Sequence, residues 1–238
     1  MIRALDSRAV VRMATGAALY GVLSWLTNLL HLPSASLISA RPAIVVPIFF
    51  GYAFGPGVGF FTGLVGNGIG DALTGWGFYP QWDLGNGLVG AVAGLPRFLP
   101  GSARAPDVLA PLAIGALLLA AWAMSRADTP LEAGFVPADW VPAEHYGWPL
   151  LLAGLMAAAW VVARRQGSSA GGVLWGLIGI FAGIGSAALI DVPYNGMTIE
   201  AALFGEFLPA TVANAVSAIV LLPPLSRAYE RARERAGR

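Results

Sequence analysis

Cysteine and lysine are both absent from the chain, and it has only two histidines, His31 and His145. Without cysteine there is no disulfide, thiolate nucleophile, iron–sulfur ligand or Cys-based zinc site, and two histidines so far apart in sequence make no metal centre. Charge is also scarce: charged residues are 11% of the chain, against about 25% in soluble domains. The 14 arginines and 13 acids leave a net charge of +1, which gives no reason to expect a nucleic acid partner. A nucleotide-binding P-loop and H-E-x-x-H are both missing. No catalytic residue and no cofactor is expected, because an enzyme here would need an unusual carboxylate mechanism.

What the chain has instead is apolar length. Its hydrophobic fraction is 57% and its mean hydropathy +0.68, the balance of an integral membrane protein. Because a helix needs roughly 20 apolar residues to cross a bilayer, the runs predict an all-α protein with about eight transmembrane helices. They fall at 10–30, 37–54, 57–74, 84–99, 108–124, 147–163, 171–190 and 199–222, within one transmembrane domain covering 1–238. The start has the basic-then-apolar order of a signal peptide, but its apolar run exceeds the usual h-region of about 7 to 15 residues, so it is expected to be a retained first helix. The fourth run is short and rich in glycine. Gly55-Pro56-Gly57 joins the second and third, and its Pro-Gly pair suits the centre of a type II turn in an antiparallel hairpin.

Counting arginines in alternate loops gives the orientation, since basic residues are retained on the cytoplasmic side. With the N-terminus inside, twelve arginines lie inside and only Arg41 and Arg126 outside, which supports eight spans with both termini cytoplasmic. The same count puts Asp71, Asp83 and Asp191 toward the exterior, with an acidic, proline-bearing cap between Ser125 and Tyr146. The tail 223–238 reads as a short basic cytoplasmic helix lying at the lipid surface.

The stretch 47–95 organises the chain. Gly51, Gly55, Gly59 and Gly63 stand one helical turn apart, and small residues at that spacing let helix backbones approach closely within a membrane. Asn67, Asp71 and Thr74 follow at i, i+4 and i+7, hence on one face. Asp71 reads equally as a helix-end cap or as a site residue, while Asn67, about a turn deeper, reads as a site residue. The segment Gly75-Trp76-Gly77-Phe78-Tyr79-Pro80-Gln81-Trp82 is an aromatic loop. Each ring taken alone is an ordinary interfacial belt residue. Their concentration beside Asp71, Asp83 and Asn86 suits a flat heterocycle stacked on rings and fixed by polar groups at its edge.

The last span sets Glu206, Ala210, Ala213, Asn214 and Ser217 on one broad face. Glu206 lies six residues beyond Glu200, roughly 9 Å deeper, where an acid must face protein or water. An interior partner or snorkelling to the surface is the bland account of it. Pro209 is expected to kink this helix and free the carbonyl of Gly205. In the first span Ala14 and Ala18 form a small-xxx-small pair continued by Ala17 and Gly21, a pattern frequent in membrane helices.

These residues resemble the substrate-binding S components of energy-coupling factor (ECF) transporters. The resemblance is carried by RPAIVVPIFFGYAFGPGVGFFTGLVGNGIGD, by GNGLVGAVAGL, by Ala14-x-x-x-Ala18 and by EFLPATVANAVSAIVLLPPL, about half the chain in all. It implies a vitamin-binding protein of the prokaryotic plasma membrane, without ATPase activity, that works with a transmembrane coupling subunit and two ABC ATPases. Ala14 and Ala18 would then dock on the coupling subunit. The eight runs exceed the family's six-helix core by two, and the surplus falls between Val108 and Ile190. Substrate contacts are expected from Asn67, Asp71, Trp76, Tyr79, Trp82, Asp83, Asn86, Glu206 and Asn214. Two other readings remain: a membrane sensor domain, favoured by the count of eight but disfavoured by the short tail, and a structural membrane protein whose glycine ladder serves packing alone.

Overall fold

The computed structural model describes residues 6–28, 41–99, 105–125, 147–166, 168–199 and 201–237. The acidic cap expected after Ser125, His31, His145 and Glu200 lie outside the described residues. Among those described the fold is all helical, with α1 Ser7–Asn28, α2 Val45–Phe54, α3 Pro56–Thr74, α4 Pro80–Gly94, α5 Ala105–Ser125, α6 Gly147–Gln166, α7 Ser168–Asn195 and α8 Leu208–Ala236. Short 3₁₀ turns, Pro42–Ile44 and Leu95–Arg97, flank α2 and follow α4. Among the described residues three segments are long and apolar enough to cross a membrane: Ser7–Asn28, Gly171–Asn195 and Ala201–Ala236. Pro42–Phe54, Asp107–Trp122 and Pro149–Val161 are shorter apolar helices. Leucines, valines and phenylalanines remain exposed along α1, α3, α5 and α6, as lipid-facing surfaces require.

The glycine ladder brings backbones together. A Cβ added to Gly51 or Gly59 would overlap the carbonyl oxygen of Gly90, and one added to Gly63 would overlap that of Asn86. α4 is thus pressed against α2 and α3. On its other side Gly85 faces Gly183 and Val89 faces Gly179, so α7 completes the stack. The space available to a Gly21 or Gly70 Cβ is likewise taken by α3 or α1 atoms, which seats α1 on α3. Larger side chains fill the remaining core: Tyr20, Ile44, Ile48, Val89, Ile180 and Ile184 are buried.

Three local expectations change. The α2–α3 connection is not a type II turn centred on Pro56-Gly57. Gly55 carries the positive φ of 111°, and Pro56 opens α3, where its missing N–H and fixed φ are an advantage. The ladder is therefore interrupted: Gly55 turns the chain while Gly51 and Gly59 face each other across the hairpin. The fourth helix starts at Pro80 rather than near residue 84, again with proline in its first turn, so Gln81, Trp82 and Asp83 are helical rather than part of the aromatic loop. Finally, α8 continues through Pro223 and Pro224 to Ala236 instead of ending before a separate tail. Tyr229 in that extension stacks edge-on against Phe49 at 5.4 Å and Phe54 at 5.6 Å. Burial against α2 offsets the two hydrogen bonds that the prolines remove.

Candidate functional site

α3 ends where Gly75, in the left-handed conformation at φ 79°, caps it and turns the chain toward Trp76. Four residues later Pro80 starts α4. This reversal holds the last turn of α3 beside the first turn of α4, and the arginine preceding α2 reaches the same end. Arg41 donates from Nη1 to Asn67 Oδ1 at 2.6 Å and from Nη2 to Asp71 Oδ1 at 3.0 Å. Its guanidinium also lies 5.0 Å from the Trp76 ring centroid. The Asn67 amide nitrogen then donates to Asp71 Oδ2 at 2.9 Å and to Asp83 Oδ1 at 2.8 Å. One guanidinium and one amide thus satisfy two buried carboxylates, and the forked geometry of arginine suits that task better than a point charge.

A second polar group forms around Asp191, near the end of α7. It accepts from Gln81 Nε2 at 2.6 Å, from the Trp82 indole N–H at 2.7 Å and from Asn195 Nδ2 at 2.5 Å. Glu206 lies beside Asp191, and its Oε2 is buried without a hydrogen-bond partner. The backbone that presents it is unusual. Ala201–Phe207 winds as a π-helix that ends two residues before Pro209. Pro209 has no N–H to give the Gly205 carbonyl, so a wide turn is accommodated there, and such turns recur at functional sites.

Between these two groups is a cavity of about 410 Å³, lined by Arg41, Asp71, Trp76, Tyr79, Trp82, Asn86, Ile184, Glu206, Ala210 and Asn214. Seven of the nine residues singled out from sequence are in this wall. Asn67 and Asp83 are not: Asn67 is fully buried and Asp83 is 4% exposed, both behind Asp71. They are set back because the Asn67 amide needs both carboxylates as acceptors. Thr74 turns to α1 instead, where Asn28 Nδ2 donates to its hydroxyl at 3.1 Å.

Two residues of the site were missed. Arg41 enters the sequence argument only as one of two arginines on the outer side. A cation stranded on the arginine-poor face, just before a proline helix start, was the available signal. Asp191 was placed only by side; its i, i+4 relation to Asn195 was the local hint, but its bonds to Gln81 and Trp82 span about a hundred residues of sequence and leave no pattern.

Asn86 joins the wall to α1. Its Oδ1 accepts from the Tyr20 hydroxyl at 2.7 Å, and its Nδ2 donates to the Trp82 carbonyl at 2.8 Å. Tyr20 is fully buried. Tyr20→Phe is expected to cost about 1–2 kcal/mol, since the buried Asn86 Oδ1 loses its donor. Denaturant unfolding of the purified variant measures this. Ala14 and Ala18 are remote from the cavity. They stay exposed on α1, while Gly16, Ala17 and Gly21 face α3.

Residues 4–103 match the family model described as the S component of an ECF-type riboflavin transporter. Among curated proteins, a UPF0397 protein of Aliivibrio fischeri is 37% identical over 91 residues, which are 38% of this chain and 49% of the relative. A UPF0397 protein of Aliivibrio salmonicida gives the same figures. One from Vibrio atlanticus is 39% identical over 90 residues, 38% of this chain and 48% of that protein. The chain thus spans about half the length of the curated relatives it matches. No solved structure matches. The matched part holds α1 to α4 and the whole Arg41 network. Over residues 4–103 this multi-pass cell-membrane protein is thus similar to the S components of ECF-type transporters.

Proposed function

We propose that the protein is the substrate-binding membrane subunit of an ECF-type importer. In this reading it captures a vitamin or related small heterocycle outside a prokaryotic cell and delivers it inward with a transmembrane coupling subunit and two ABC ATPases. The observation that carries this is the cavity. Its volume of about 410 Å³ is within the range of small-molecule sites, and its wall combines three flat rings with a few convergent polar groups. Trp76, Tyr79 and Trp82 stack the ligand, while Asp71, Asn86, Glu206 and Asn214 fix its polar edge. Asn67 and Asp83 hold Asp71 and Arg41 in place from behind. The cavity end faces outward and both termini are cytoplasmic; Ser7–Asn28, Gly171–Asn195 and Ala201–Ala236 are long enough to cross the membrane, and the shorter helices complete the eight-helix bundle among them. Arg12, Arg97 and Arg227 then lie at the inner end, in keeping with retention of basic residues there.

Two measurements test the reading. Thermal unfolding of the full chain in lipid nanodiscs against a panel of vitamins should reveal a stabilising ligand, because a ligand that binds only the folded state raises the melting temperature. Affinity purification from the native membrane should bring along ATPase subunits. A double variant, Ala14→Leu with Ala18→Leu, is expected to unfold at the wild-type temperature, since both positions are exposed, yet to lose the ATPase subunits. Retention of those subunits would remove α1 from the docking surface. A chain that no small molecule stabilises, and with which no ATPase copurifies, would leave the sensor or structural readings.

A further inference from the structure

Resting on the reading of this cavity as a ligand site, we infer that the substrate is a flat heterocycle bearing a positively charged nitrogen, held at the corner formed by Glu206, Asp191 and Trp82. The two sides of the cavity differ in how their carboxylates are compensated. On the α3 side Asp71 is paired with Arg41, whose guanidinium is already engaged by Asn67 and stands over Trp76. On the α7 side Glu206 and Asp191 meet with no cation beside them among the described residues. Among the described residues the ion pairs are Arg41–Asp71 and Arg164–Asp107, and neither touches Asp191 or Glu206.

The neighbours of this corner supply only neutral donors. Gln81 and Trp82 from α4 and Asn195 from α7 all converge on Asp191, which is 1% exposed, and none reaches Glu206 Oε2. Gln81, itself 4% exposed, has its amide nitrogen on Asp191 and leaves Oε1 buried without a partner. Two acceptor atoms therefore lack donors beside two carboxyls that share a hydrogen bond in a low-dielectric wall; a proton held between them relieves their repulsion, and a cationic ligand would do so in its place. The entrance is the cavity, because Glu206 lines it.

Trp82 makes the corner specific for an aromatic cation. Its indole N–H orients Asp191, so its ring is fixed, and that ring forms part of the cavity wall. A charged nitrogen in a planar ring would meet a carboxylate and an aromatic face together, whereas a neutral ring would gain stacking alone. The Arg41 side offers guanidinium N–H groups to an acceptor at the opposite edge of the same ligand.

The test compares cations carrying a flat charged ring with neutral ring systems. Thiamine carries a permanent thiazolium charge, and thiochrome is its neutral fused-ring oxidation product. 1-Methylnicotinamide serves as a second cation and riboflavin as a second neutral molecule. With the full-length protein in nanodiscs, at least one cation should bind, and thiamine should bind at least about tenfold more tightly than thiochrome. Glu206→Gln should abolish that preference. Equal or tighter binding of the neutral compounds by the wild-type protein would overturn the inference, and so would failure of both cations to bind. Because the wild-type comparison stands alone, poor folding of the variant does not rescue it. A sodium chloride titration that raises the melting temperature in wild type but not in Glu206→Gln would assign the charge to an inorganic ion instead, and would also overturn it. Riboflavin binding without cation binding would remove this inference and keep the importer reading.

Discussion

Arg41→Ala is expected to lower stability by about 3 kcal/mol and to abolish ligand binding. The value follows from what the side chain holds. Asp71 is 3% exposed at its side chain and Asp83 is buried, yet only one cation and one amide serve both. Removing the guanidinium leaves two carboxylates sharing the two N–H groups of Asn67, whose Oδ1 also loses its donor. Loss of one partner from a buried pair typically costs about 3–5 kcal/mol. The lower end applies because Arg41 remains 17% exposed and borders a cavity from which water can reach the vacated space. Arg41→Lys should recover part of the loss, since it restores charge but cannot reach Asn67 and Asp71 together in one plane. Arg41→Met combined with Asp71→Asn should recover more, because removing both charges avoids stranding either. The double variant should still bind no ligand, which separates the network's structural part from its part in recognition. Denaturant unfolding in one detergent across the four proteins measures the stabilities, and ligand titration of the same proteins measures binding. Wild-type stability in Arg41→Ala would mean that the pair is solvated and holds nothing.

The sequence and the fold agree where a pattern is local. The Gly-x-x-x-Gly spacing announces close backbone approach, and the glycines at 51, 59 and 63 do meet α4 backbone. Pro56 and Pro80 fix helix starts, and reading each as part of a turn or loop displaced the α3 start by one residue and the α4 start by four. Asp71, Trp76, Tyr79, Trp82 and Asn86 lie within one short stretch, and the hairpin of α3 and α4 suffices to gather them. Glu206 and Asn214 were legible for another reason: a polar face on an apolar helix has to be turned inward, whatever it meets. What it meets was not legible. Arg41 binding Asn67, and Asp191 binding Gln81 and Trp82, depend on how α2, α4 and α7 pack, and no spacing in the chain encodes that. The twelve-to-two arginine count treated Arg41 as a topological marker, which hid its role as the counter-charge of Asp71.

Gly90→Ala is expected to be as disruptive as the loss of Arg41, although it adds a single methyl group. The new Cβ would overlap the carbonyl oxygen of Gly59, lie 2.5 Å from the Gly59 carbonyl carbon and 3.0 Å from its Cα. Every one of these is a backbone atom, so no rotamer change relieves the contact and α3 must move as a body. Overpacking usually costs about 1–3 kcal/mol when side chains can adjust; with backbone on both sides the expected loss is about 3 kcal/mol or more. Separation of the helices also removes dispersion and weak Cα–H···O contacts, which hold helices together where lipid offers no hydrophobic drive. Because Asn86 and Asp83 lie on α4 and Asn67 and Asp71 on α3, the shift would open the cavity wall and weaken ligand binding as well. Gly57→Ala and Gly115→Ala are the controls. A Cβ at either position meets nothing within 4 Å, and alanine is the better helix former by about 1 kcal/mol. Both should fold at or slightly above the wild-type melting temperature. If Gly90→Ala behaves like these controls, α3 and α4 can separate freely, and the cavity is not set by their glycine contact.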